Sequence, residues 1–153
     1  MIYNVRMRNL ALASVFLFGI SILRPVDAEV QKDPMDAVIA APASHAVLLE
    51  NSRVRVLLVT IAPGVTEPAH THAWPSVMRV ESPQPLTYIT YSEQDGKRVE
   101  VKRLDLPMEN PGKTEWMGPE GLHAVQNGGT SEYRAIRIEL KPATPAPAAD
   151  QGR

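Results

Sequence analysis

Short runs of alternating, β-branched residues, cut repeatedly by proline and glycine, restrict this chain more than any other feature of its sequence. Residues 53–62 read Arg-Val-Arg-Val-Leu-Leu-Val-Thr-Ile-Ala and stop at Pro63-Gly64. Similar runs cover 46–50, 76–80, 86–91, 98–104, 123–127 and 131–141. Their period is two rather than 3.6, so successive side chains point to opposite faces of a strand. Asp95-Gly96 between two such runs marks a tight hairpin. In the last run Arg134, Ile136, Ile138 and Leu140 share one face, opposite Ala135, Arg137 and Glu139. About eight short strands with this punctuation predict an all-β sandwich or barrel, which also hides the sheet edges.

The ends of the chain are of a different kind. Arg6 and Arg8 precede an apolar stretch from Leu10 to Leu23, and Val26-Asp27-Ala28 supplies small residues at a cleavage site. Residues 1–28 therefore read as a signal peptide, too short in its apolar part for a membrane span of roughly 20 residues. Export follows, to a periplasm or to the exterior. Residues 29–44 read as an extended lead-in, 45–141 as one domain, and the Pro/Ala-rich 142–153 as a disordered tail.

Removing the leader takes away three Arg and one Asp, which leaves 13 basic and 16 acidic residues in 125. A mildly acidic chain with no basic run has no electrostatic footprint for nucleic acid, or for a membrane surface once the leader is cleaved. The chain has no cysteine. Disulfides, thiolate ligands and a cysteine nucleophile are thereby excluded, and stability must come from a core, a metal or association.

Four histidines are present. His70-Thr71-His72 places two imidazoles on one face of a strand, where both can reach one ion. His123 opens a strand 51 residues later, which a closed β-roll can bring opposite. Neutral imidazoles suit Fe(II), Zn, Cu or Ni. Three such ligands leave positions open for water or a substrate. Solvated or structural histidines are the competing reading, because an isolated H-x-H is a weak signal.

The flanking residues resemble the cupin superfamily. Gly64-Val-Thr-Glu-Pro-Ala-His70-Thr-His72 matches the first half of that family's first motif. Gly112, His123 and Asn127 keep the outer spacing of the second, with Pro119-Glu-Gly121 between them. The resemblance covers residues 45–141 and implies a single cupin-type β-barrel, the double-stranded β-helix or jelly roll. It further implies one divalent transition metal on His70, His72 and His123, and a homodimer. Two departures stand out: the first motif's glutamate falls at Ser76 or Val77, and its closing glycine falls at Pro83-Gln84. Without the carboxylate, three neutral ligands leave the ion its full charge, which favours an anionic partner.

Candidate pocket residues are Trp74, Ser76, Met78, Tyr88 and Trp116, by their closeness to the histidines or their parity on a strand. Glu67 lies on the opposite parity from His70 and is expected in a structural or surface role. His45 falls outside the motifs and is expected to be structural or exposed. Glu50, Arg53 and Arg55 are expected in ion pairs or a solvated face, and Asn127 in a turn. Three functions stay open: a metal-dependent oxygenase or isomerase on a small polar or anionic molecule, a non-catalytic cupin that binds a small ligand, and a structural or interaction β-roll.

Overall fold

A computed structural model describes residues 33–143. The expected signal peptide and most of the Pro/Ala-rich tail lie outside the described residues. Among the described residues nine strands follow one short helix. They are α1 (Ala37–Ala40), β1 (His45–Glu50), β2 (Val54–Ile61), β3 (His70–His72), β4 (Ser76–Ser82), β5 (Leu86–Gln94), β6 (Lys97–Leu106), β7 (Thr114–Met117), β8 (Glu120–Asn127) and β9 (Tyr133–Leu140). They form two antiparallel sheets, β1-β2-β9-β4-β7 and β3-β8-β5-β6. Each sheet mixes strands from early and late in the chain, which makes the fold a double-stranded β-helix rather than a meander.

Alternation in the sequence sets the inward face. Along β2, Arg55, Leu57, Val59 and Ile61 are buried while the residues between them are half-exposed. Along β9 the buried residues are Tyr133, Ala135, Arg137 and Glu139. The more apolar face of β9, with Ile136, Ile138 and Leu140, is therefore the outer one. The antiparallel registers stack these side chains in layers: Arg55 beside Glu139, Leu57 beside Arg137, Val59 beside Ala135, and Ile61 beside Tyr133. Strand β4 adds Ser76, Met78 and Val80 to the first three layers. Leu57, Val59, Ile61, Val80, Tyr133 and Ala135 make the apolar core.

Turn chemistry follows the sequence closely. Asp95 and Gly96 adopt φ values of 50° and 71°, both left-handed, and join Gln94 to Lys97 in a two-residue hairpin. Asn127 is fully buried and closes its turn: Nδ2 donates to the carbonyls of Ile61 and Ser131, and Oδ1 accepts from the Gly129 amide.

Two local features differ from the sequence reading, and a third bears it out. The lead-in holds a helical turn, because Asp36 accepts from the Val38 amide and caps α1. Strand β7, with no clear alternation of its own, forms by pairing with β4 at the sheet edge. Glu50 and Arg55 are ion-paired as expected, in different surroundings. Glu50 pairs with Lys141 at the surface, whereas Arg55 is buried and bonded to Glu139 and Asp36.

Candidate metal centre

Strands β3 and β8 are antiparallel neighbours at one end of the roll. Their register sets His70 opposite His123 and His72 opposite Glu120. Within β3, His70 and His72 are both buried and Thr71 is half-exposed, as the two-residue period requires. The ring centroids of His70 lie 5.0 Å from His72 and 4.4 Å from His123.

A fourth imidazole joins them. His45, expected outside the site, is buried at the start of β1 with its ring 4.5 Å from His70 and 5.3 Å from His72. His45, His70 and His72 present ligand atoms within 4.8 Å of one another, and so do His72, Glu120 and His123. No spacing rule singles out His45. Tertiary folding alone delivers it, when β1 pairs with β2 and its first residue turns inward.

The hydrogen bonds of the four rings share one pattern. Nδ1 of His70 lies 2.9 Å from the Pro68 carbonyl, that of His123 2.8 Å from the Gly121 carbonyl, and that of His45 3.3 Å from the Ala41 carbonyl. Nδ1 of His72 lies 2.7 Å from Oε1 of Glu139. Carbonyls and carboxylates only accept, so each Nδ1 must carry the proton and each Nε2 keeps a lone pair. For His70 that Nε2 is buried without a partner.

Burial, with neighbouring imidazoles and Arg137 adding to it, keeps the rings neutral. The pKa of His70 falls to about 4, and those of His45 and His72 fall to about 2. That of His123 is lowered as well, chiefly by desolvation. Neutral imidazole is the protonation state a metal needs.

The rings line a cavity of about 110 Å³ whose other walls include Met78, Tyr88, Glu67, Glu120 and Arg137. Glu67, expected at the surface or in a structural role, points inward. Its Oε1 accepts from the Val125 amide at 3.1 Å, and Oε2 has no partner. Desolvation raises its pKa to about 8, so at neutral pH this carboxyl keeps its proton. Burial would also raise Glu120, but Arg137 and His123 outweigh it and the pKa is lowered. Nη2 of Arg137 stands 2.6 Å from Glu120 Oε2, and the Tyr88 hydroxyl donates to Glu120 Oε1 at 3.1 Å. The Tyr88 ring stacks on His123 at 4.9 Å.

Of the other pocket candidates, Ser76 is fully buried beside Glu139 but does not line the cavity. Trp74 does not line it either, and lies over Arg55 and Lys141 at 4.8 and 5.1 Å. Trp116 is 62% exposed on the edge strand β7. Trp116 sits one strand parity away from the cavity-lining Glu115 and Met117, and Trp74 lies in the bend between β3 and β4, which closeness in sequence to the histidines could not reveal.

The described residues form a double-stranded β-helix with a buried histidine cluster. The structure is similar to a cupin domain from Bordetella pertussis, at 22% identity over 64% of this chain and 92% of that one, with a TM-score of 0.49. It is also similar to an RmlC-like cupin from Methanocaldococcus jannaschii, at 11% identity over 63% and 78%, TM-score 0.42. A third similar structure is the polyketide cyclase RemF of Streptomyces resistomycificus, at 17% identity over 66% of each chain, TM-score 0.42. No protein-family model matches the sequence, and neither does any curated protein.

Proposed function

We propose that this chain is an exported, metal-binding cupin in which His70, His72 and His123, joined by His45, hold one divalent transition ion. The observation that carries this reading is the shared tautomer: four neutral rings, each tied at Nδ1, leave four Nε2 lone pairs around one cavity. Such a donor set suits Fe(II), Zn, Cu or Ni, and the orphaned Nε2 of His70 is the kind of buried atom an ion would satisfy. When bound, the ion would supply Lewis acidity, or redox chemistry if it is iron or copper.

The chain's own groups suit a small polar or anionic substrate of an oxygenase or isomerase. Arg55 and Arg137 carry two positive charges into the interior, and Asp36, Glu120 and Glu139 carry three negative ones. A divalent ion turns that formal balance from −1 to +1, which favours a monoanion. Glu67 holds a proton at its carboxyl, Tyr88 offers a phenol kept in place by Glu120, and Met78, Leu86 and Val125 exclude water.

Elemental analysis of the untagged mature protein tests the reading. About one equivalent of metal is expected, lost in a His70→Ala/His123→Ala double variant. Metal absent from the wild type after loading with each of the four ions refutes it. Export is checked by fractionation, and a homodimer by light scattering.

A further inference from the structure

The resemblance leaves the first motif without its carboxylate, with Ser76 at one of the two positions where it is due. In the register between β4 and β9, Ser76 pairs directly with Glu139. A carboxylate therefore stands one strand away from the vacated position, on the same inward face.

Glu139 is fully buried and both its oxygens are engaged. Oε1 accepts from Nδ1 of His72 at 2.7 Å, and Oε2 accepts from Nε of Arg55. The remaining fork of Arg55 donates to Asp36 at 3.0 and 2.9 Å, and Asp36 caps α1. A continuous chain of charge-assisted hydrogen bonds thus runs from the lead-in helix to a single imidazole. The other three rings rest on backbone carbonyls within four residues of themselves. His72 alone among the four is held by a charge from 67 residues away.

We propose that Glu139 is the positioning residue of the histidine cluster. It sets which nitrogen of His72 faces the cavity and how strongly that nitrogen binds a cation, with Arg55 and Asp36 holding it in place. The inference rests on the metal-binding reading. A carboxylate accepting a proton-bearing Nδ1 in a dry interior is a stronger acceptor than a carbonyl. It locks the ring's rotation and raises the basicity of Nε2, and loss of such a partner typically lowers metal affinity 10- to 100-fold. Fold stability alone does not account for the arrangement, because buried ion pairs are commonly replaced by apolar residues without loss. The charge missing from the motif is supplied one bond further out, as a hydrogen-bond acceptor and not as a ligand.

Two measurements decide it. The first is the ring ¹⁵N spectrum of the metal-free wild type. An Nδ1-protonated His72 is expected, and an Nε2-protonated ring overturns the proposal without any variant having to fold. The second is zinc affinity by chelator competition in the wild type and in Glu139→Gln, which keeps shape and loses charge. Affinity should fall about 10- to 100-fold while the ring signals of His70 and His123 stay in place. Unchanged affinity in a folded Glu139→Gln protein refutes the role of Glu139 and leaves the metal reading standing. No affinity in the wild type for zinc, nor for Fe(II), Cu or Ni tried in its place, overturns both.

Discussion

The two halves of the interior are built from the same strands and differ sharply in chemistry. Down β2 and β9 the inward pairs pass from Ile61–Tyr133 and Val59–Ala135, through Leu57–Arg137, to Arg55–Glu139. The first half is an apolar core of the kind that any stable roll needs. The second buries Glu67, Glu139, Arg55, Arg137 and four imidazoles. Burying charge costs several kcal/mol per ion before pairing offsets it. A domain able to fill both halves with Val and Leu has no stability reason to do otherwise. The contrast indicates that the apolar half maintains the fold and the charged half serves the site.

The largest expected effect comes from splitting the buried pair. Arg55→Ala strips Glu139 of its bonded guanidinium and should cost about 3–5 kcal/mol of unfolding free energy. Replacing both, as Arg55→Met/Glu139→Leu, should keep stability level or raise it by about 1–4 kcal/mol while zinc affinity falls about 10- to 100-fold. Denaturant unfolding with zinc titration on both variants checks this, and a double variant as unstable as the single one would collapse the division between the halves.

Zinc itself should stabilise the protein by about 4 kcal/mol at a free concentration a thousand times its Kd. His72→Ala should abolish that gain, as read from melting temperatures with and without zinc. In the apolar half Leu57→Ala should cost about 2–5 kcal/mol through the cavity it opens, yet leave zinc stoichiometry unchanged. A loss of stoichiometry there would show the halves to be coupled.

Acidity acts on the charged half only. The four imidazoles titrate near 6.5 when unfolded and lower than that when folded, so the unfolded chain takes up more protons at low pH. Metal-free stability is therefore complete with respect to these rings above pH 6.5 and falls as pH drops toward 4. The slope is up to about 1.4 kcal/mol per pH unit for each ring. Glu67 works in the opposite sense: its carboxyl stays protonated in the fold up to about 8. Its contribution is present below the unfolded value near 4.5 and is lost as pH rises toward 8. Glu67→Gln should remove that alkaline decline, as melting temperatures across pH 5–8.5 would reveal. The smallest effect belongs to Trp116→Ala, at an exposed edge position. It should change stability by less than about 0.5 kcal/mol and zinc affinity not at all; weakened zinc binding would place Trp116 in the site after all.

Much of the architecture follows from local rules. Alternation over 53–62 marks β2, Asp95-Gly96 marks the hairpin between β5 and β6, and Asn127 with Gly128-Gly129 marks a turn. Each of those signals is read within a few residues, because strand parity and left-handed turn conformations are properties of the backbone itself. The pair His70 and His72 is readable for the same reason, since two residues of spacing give one face. The placement of His45, Glu67, Glu139, Trp74 and Trp116 has no such local origin. Whether a strand's even or odd residues turn inward, and what they meet there, depends on which strand lies alongside and in what register. Ser76 meets Glu139, and His45 meets His70, across separations of 63 and 25 residues that no periodicity spans. By itself the sequence determined a two-faced, strand-rich roll and two of its imidazoles on one face. Only tertiary structure decided which face of β9 is the interior, and that a distant carboxylate holds the ring of His72.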